Sequence, residues 1–221
     1  MCLSNKLFSI LIFMNCFNAY ASELIAPTDY HAEEAKVITK GKWLALQNIN
    51  NDWSLVAVTP TFKKVDDVVL GPMKGINISV KIAGVNFLLM DESLSVGPVL
   101  SSWENQNDNN LESWFEKTRL PGIGKIKQIN FNKGVYELQN ISGEIVIKFG
   151  GTSQSLFSYS EEVETNASIE WIGDLDRDGK LDLILDASDH YNAGESRLYL
   201  SGKAAPGSLV KLVASRRTTG C

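Results

Sequence analysis

Residues 75–82 read GINISVKI, so that Ile76, Ile78, Val80 and Ile82 fall on one face of an extended chain and Asn77, Ser79 and Lys81 on the other. A period of two is the mark of a half-buried strand, because successive side chains on a pleated backbone point to opposite faces. Residues 144–149 repeat the pattern with Ile145, Ile147 and Phe149 on one face. The run at 85–90, after Ala83-Gly84, is too apolar to have one wet face. Residues 125–131 and 135–139 flank Asn132-Lys133-Gly134 and read as a hairpin with glycine in its turn. Further strands are expected at 42–47, 53–58, 155–160, 168–172, 181–185, 197–201 and 209–215.

Strands at this density, with turns between them, predict an all-β protein built of antiparallel sandwich or barrel-like units. One or two short helices are expected, at 33–40 and at 111–119. The second places Leu111, Trp114 and Phe115 on one side and is stopped by Pro121. It lies in a polar, asparagine-rich stretch that includes ENQNDNN. That stretch divides the chain into an N-terminal β unit at 22–100, a polar linker with a short helix at 101–120, and a C-terminal β unit at 121–221. One continuous β domain with a long insertion fits the same pattern. No internal repeat is visible.

Residues 1–21 carry Lys6, a short apolar run over 7–17, and Ala19-Tyr20-Ala21 in the A-x-A form of a signal-peptidase site. The run is shorter than the roughly 20 residues that span a bilayer. The expectation is a signal peptide cut after Ala21 and a periplasmic or secreted product without stable membrane insertion. A retained anchor and a lipid-modified Cys16 are the alternatives, the latter disfavoured by Phe13 and Asn15 at positions where such sites carry Leu and a small residue. With the leader gone, Cys221 is the one remaining cysteine. An inert tail thiol or a disulfide dimer through Cys221 both follow from an odd cysteine in an exported chain. The chain carries 21 basic and 26 acidic residues, a net charge of −5. Beyond Arg216-Arg217 there is no basic patch, which argues against a nucleic-acid partner.

The densest chemistry stands at 173–186, GDLDRDGKLDLILD. Counting Asp174 as position 1, Asp176 and Asp178 are positions 3 and 5, Gly179 is 6, Lys180 is 7 and Asp182 is 9. A chain that wraps a hard cation turns carboxylates inward at alternate positions, and glycine at the sixth permits the sharp bend. Calcium takes six to eight oxygens, whereas magnesium holds to a stricter octahedron. An EF-hand closes with Glu at position 12, and here that position is Leu185. On the strand that leaves the loop, Leu181, Leu183 and Leu185 share one face, while Asp182, Ile184 and Asp186 share the other. The leucines are thus free for a core while Asp182 turns to a metal.

This stretch resembles the calcium loop of FG-GAP repeats (integrin-like, VCBS-type), in which G-D-x-[DN]-x-D-G-x-x-D-[LI] lies between two strands. The resemblance covers about 20 residues. It implies a bound Ca2+ with side-chain ligands Asp174, Asp176, Asp178 and Asp182, and a backbone carbonyl from Lys180. More loosely, the region from Ser153 to the tail is similar to the C-terminal domain of exported bacterial proteins that carry one such loop. FG-GAP domains repeat the loop around a propeller, and this chain has one copy. Neither a propeller nor an integrin-type ligand function is therefore expected.

No catalytic residues are assigned. His31 and His190 are the two histidines, and H-E-x-x-H, C-x-x-C, P-loop and G-x-G-x-x-G patterns are absent. Residues 151–155 lack the second glycine of a nucleophile elbow. His190 reads as a loop side chain held by Asp186 or Asp189, and Trp103, Trp114 and Trp171 as core. The expected function is a non-catalytic, calcium-binding module of the cell envelope whose partner is an envelope protein or a glycan. An envelope hydrolase of glycan or peptide using carboxylates not yet placed is the alternative. An inhibitor that inserts a loop such as 101–110 into a partner enzyme is another.

Overall fold

The computed structural model describes residues 22–35, 41–67, 69–102, 117–158, 167–190 and 192–219. The leader at 1–21, Cys221, Trp103, Trp114 and most of both expected helices lie outside the described residues; residues 117–118 form a single helical step. Among the described residues no helix is long and apolar enough to cross a membrane.

Among the described residues, seventeen strands form four antiparallel sheets. Sheet I is β2 (Asp29–His31), β6 (Gly71–Ser79) and β5 (Thr61–Asp67), in that order. Sheet II is β1 (Glu23–Ile25), β7 (Val85–Met90), β3 (Trp43–Ile49), β4 (Asp52–Val58) and β8 (Gly97–Pro98). Sheet III is β17 (Lys211–Thr219), β16 (Ala193–Leu200), β15 (Asp182–Asp186), β14 (Ser168–Asp174) and β9 (Leu100–Ser101). Sheet IV is β10 (Ile126–Phe131), β11 (Gly134–Ile141), β12 (Glu144–Phe149) and β13 (Thr152–Ser158). All are open sheets, so the sandwich alternative is the one realised.

Three apolar cores separate the four sheets. Tyr30, Trp43, Ala45, Ile78, Leu88 and Met90 fill the space between sheets I and II. Leu44, Leu46 and Leu89, alternating along the same strands, meet Trp171, Ile184, Leu198 and Leu200 between sheets II and III. Leu183, Leu185 and Tyr199 face Leu138, Ile145 and Ile147 between sheets III and IV. Sheets II and III are thus covered on both faces. This is why 85–90 and 181–185 read as nearly unbroken apolar runs. Each such side chain taken fully out of water contributes about 1.5–3 kcal/mol. The strand β9, numbered within the first half of the chain, pairs with β14 through Gly173↔Ser101 and Asp174↔Leu100.

The turns explain the register of sheet IV. Asn132 and Lys133 both take positive φ (41° and 68°) in a two-residue turn, as do Ser142 and Gly143, and Gly150 and Gly151. Paired left-handed residues suit the right-handed twist of the strands they join. Gly134, expected within the turn, instead begins β11, where a Cβ would collide with the Phe149 ring.

Candidate metal site

Strands β14 and β15 are a hairpin, and the aspartates occupy its loop and the residues on either side. Asp174 ends β14; Asp182 opens β15 and pairs with Gly173. Two leucines pin the loop. Leu175 is buried in the core between sheets II and III, and Leu181 in the core between sheets III and IV. Arg177 and Gly179 take positive φ, 62° and 83°. These two left-handed steps reverse the chain, and the Gly179 amide donates to Asp174 Oδ2 at 2.9 Å.

Asp174, Asp176 and Asp182 each present one carboxylate oxygen within 4.8 Å of the others, an arrangement that could hold a metal ion. Two of the three are buried: Asp174 is 5 % exposed and Asp182 0 %. The oxygens are unequally satisfied. Asp182 Oδ2 accepts from the Leu175 amide at 2.6 Å, and Oδ1 from the Ser201 amide at 2.7 Å. Asp176 Oδ2 accepts from the Gly202 amide at 3.0 Å. Asp174 Oδ1 is buried and has no hydrogen-bond partner. A buried carboxylate oxygen left unsatisfied is costly, and a cation beside it removes the cost.

Electrostatics points the same way. Burial, then the neighbouring Asp176, pushes the Asp182 carboxyl up to about 7. Burial, followed by the charges of Asp178 and Asp174, raises Asp176 as well. The Lys180 ammonium lies 3.3 Å from Asp178 Oδ2, outside the set of three, and is itself well exposed. It does not offset the buried pair.

Asp178 stands apart from the set of three. Its Oδ1 accepts from the Lys180 amide at 2.8 Å and lies 2.9 Å from Ser201 Oγ. The side chain of Lys180 is exposed. Three of the four carboxylates expected as ligands are therefore drawn together by the fold.

Sequence reasoning missed the residues that seat the loop. The Arg177 guanidinium donates to Ser95 Oγ (2.6 Å), to the Ser95 carbonyl (2.9 Å) and to the Pro98 carbonyl (3.0 Å). Asn132, in the turn between β10 and β11, donates to the Gly179 carbonyl at 2.7 Å. Gly202 lies so close that a Cβ there would collide with the Asp176 carboxylate. The loop is thus touched by segments from residues 95–98, 132 and 201–202. Only Arg177 carried a local signal, as one of two cations, with Lys180, among the acids. The other contacts join positions tens of residues apart in the chain.

The remaining sequence candidates have structural places. Trp171 is fully buried and meets Trp53 edge to face, with ring centroids 6.0 Å apart. Asp186 Oδ1 accepts from the Ser188 and Glu195 amides, and Asp189 pairs with Arg217 at 2.7 Å. His190 Nδ1 accepts from the Asn192 amide at 3.1 Å. Comparison of the chain with protein-family models, with curated proteins and with solved structures gives no match.

Proposed function

We propose that the protein is an exported, non-catalytic binding module of the cell envelope in which the 174–182 loop binds one calcium ion. The observation that carries the metal reading is the buried, unpartnered Oδ1 of Asp174, whose carboxylate clusters with those of Asp176 and Asp182. The donor set consists of hard oxygens, which suits calcium or magnesium rather than a softer ion. The resemblance of the loop to FG-GAP calcium loops favours calcium, with the Lys180 carbonyl, Asp178 and water as the further oxygens it requires. Export and an envelope location rest on the leader composition of residues 1–21.

The ion's role follows from what the loop touches. The contacts of Arg177 with 95–98, of Asn132, and of Ser201 and Gly202 bring three segments onto the nine-residue loop. Neutralising the carboxylates holds those segments in one arrangement, and the surface around the loop becomes a fixed platform for a partner. Extracellular calcium modules bind with dissociation constants of about 10⁻⁴–10⁻³ M. At ten times that constant the linkage adds about 1.4 kcal/mol of stability, a rise of a few degrees in melting temperature for a chain of this size.

Isothermal titration and thermal melting test the reading. Millimolar calcium is expected to give heat and raise the melting temperature, magnesium to do so less, and chelator to reverse the gain. Asp176→Ala abolishes the effect and Asp52→Ala leaves it intact. Absence of heat with wild-type protein at millimolar calcium overturns the metal reading.

A further inference from the structure

The face of sheet III that packs on sheet II changes character along its strands. Ile184, Leu198 and Ala214 stand side by side in register within the apolar core. Two residues on, the next row on that face is Asp186, Ser196 and Arg216, paired as Asp186↔Ser196 and Ser196↔Arg216. Side chains two apart on a strand share a face, so this polar row faces the same interior. A bulge between Ile169 and Trp171 brings Glu170 beside it, hydrogen-bonded to Ser196.

A cavity of about 600 Å³ lies over this row. Its opposite wall includes Tyr30 and His31 of β2, Glu34, and Asp66 and Asp67 of β5. Two buried polar atoms of its lining residues have no partner, Glu170 Oε2 and Arg216 Nε. Polar atoms in that condition are stabilised by a ligand that bonds to them.

The charge balance selects the ligand. Arg216 Nη2 is 2.6 Å from Glu23 Oε2, and Nη1 donates to the Glu34 carbonyl at 3.0 Å. His31 Nδ1 lies 2.5 Å from Asp67 Oδ2. With both cations of the lining already paired, Glu170, Asp186, Asp29, Glu34 and Asp66 leave the cavity negative.

We propose that this cavity binds a small organic cation, a guanidinium or primary ammonium compound that also bears an oxygen acceptor. The cationic group sits against Glu170 and Asp186, and the oxygen accepts from Arg216 Nε. The site lies toward the end of the β14–β15 hairpin remote from the aspartate loop and uses none of its residues. It therefore stands or falls independently of the calcium reading.

Titration calorimetry tests it, at low salt and pH 8 with chelator present, using L-arginine, agmatine (the same guanidinium without the carboxylate) and L-glutamate. Burial holds the Glu170 carboxyl up to about 7, so pH 8 ionises it. L-Arginine is expected to bind, agmatine several-fold more weakly, and L-glutamate not at all. Glu170→Gln lowers the L-arginine affinity at least tenfold, whereas Asp176→Asn leaves it unchanged. If Glu170→Gln does not fold, amide shifts in the wild type decide. Changes on adding L-arginine at 192–196 and 216–219, with none at 175–181, support the site. No binding of L-arginine or agmatine at 10 mM, tighter binding of L-glutamate than of L-arginine, or unchanged affinity in a folded Glu170→Gln protein overturns it.

Discussion

Glu170 makes stability depend on pH in a way that one substitution isolates. The bulge in β14 turns its carboxyl inward, where Ser196 is a hydrogen-bond partner and Oε2 has none. Burial, reinforced by the charge of Asp186, raises its pKa from 4.5 to about 7. The unfolded chain ionises it near 4.5. Below that both states hold the proton and the group contributes nothing to the pH dependence. Between 4.5 and 7 only the folded state retains the proton, so stability falls as pH rises. Above 7 both states are ionised, and the folded state carries the full cost of a buried charge. At 1.36 kcal/mol per unit, that cost is about 3 kcal/mol. Glu170→Gln removes the titration and keeps the shape. Urea unfolding of both proteins at pH 4, 6 and 8, without added ligand, checks this. The variant is expected to gain about 3 kcal/mol relative to wild type between pH 4 and pH 8. Other groups that titrate in this range, such as His31, are common to both proteins and cancel in the difference. A stability difference that is the same at all three pH values refutes the reasoning.

Three further outcomes follow from single contacts. A Cβ at Gly173 would collide with the Leu100 carbonyl and the Trp171 ring, so Gly173→Ala is expected to cost about 1–3 kcal/mol in urea unfolding. Arg177→Ala removes three exposed hydrogen bonds to Ser95 and Pro98 and is expected to cost about 1 kcal/mol by the same assay. The hydrogen bond to Asp67 raises the pKa of His31 above its usual 6.5, and the amides of Leu70 and Val69 with His31 hold Asp67 down at about 2. The stabilisation from a protonated His31 is therefore complete below pH 6.5 and lost as pH rises through the raised value. Titration of the ring by NMR is expected to show this elevation in wild type and its loss in Asp67→Asn.

Alternation in the sequence located strands well because it reports which side chains share a face. It carries no information on which strand pairs with which, so the stacking of four sheets was not legible. Residues 75–79 and 85–90 illustrate this, since they are near neighbours in sequence but lie in sheets I and II, the alternation at 80–82 continuing past the end of β6. β5 was missed because TFKKVDD, at the rim of sheet I, is wet along most of its length and shows no apolar stripe. β8 and β9 have two residues each and leave no periodic signal. The aspartate loop was legible because its spacing is local. Glu170 was not, because a bulge sets its orientation, and in a regular strand it would have faced away from Ile169 and Trp171 alike.

The loop carboxylates divide the work of building the site and filling it. Asp182 is the builder. Its two oxygens accept from the Leu175 and Ser201 amides and from Ser201 Oγ, fixing both ends of the turn and the segment after β16. Asp182→Ala leaves those buried donors without partners, at roughly 1–3 kcal/mol each for the two amides. Asp176 is half buried and accepts only at the loop's surface, from Gly202 and Asp178. Asp176→Ala is expected to cost about 1 kcal/mol or less without metal. Urea unfolding in chelator separates the two: Asp182→Ala destabilises by about 3 kcal/mol or more, and Asp176→Ala falls near wild type. Added calcium then stabilises neither variant. Equal losses in chelator would show that Asp182 is one ligand among several and that the loop's shape has another origin.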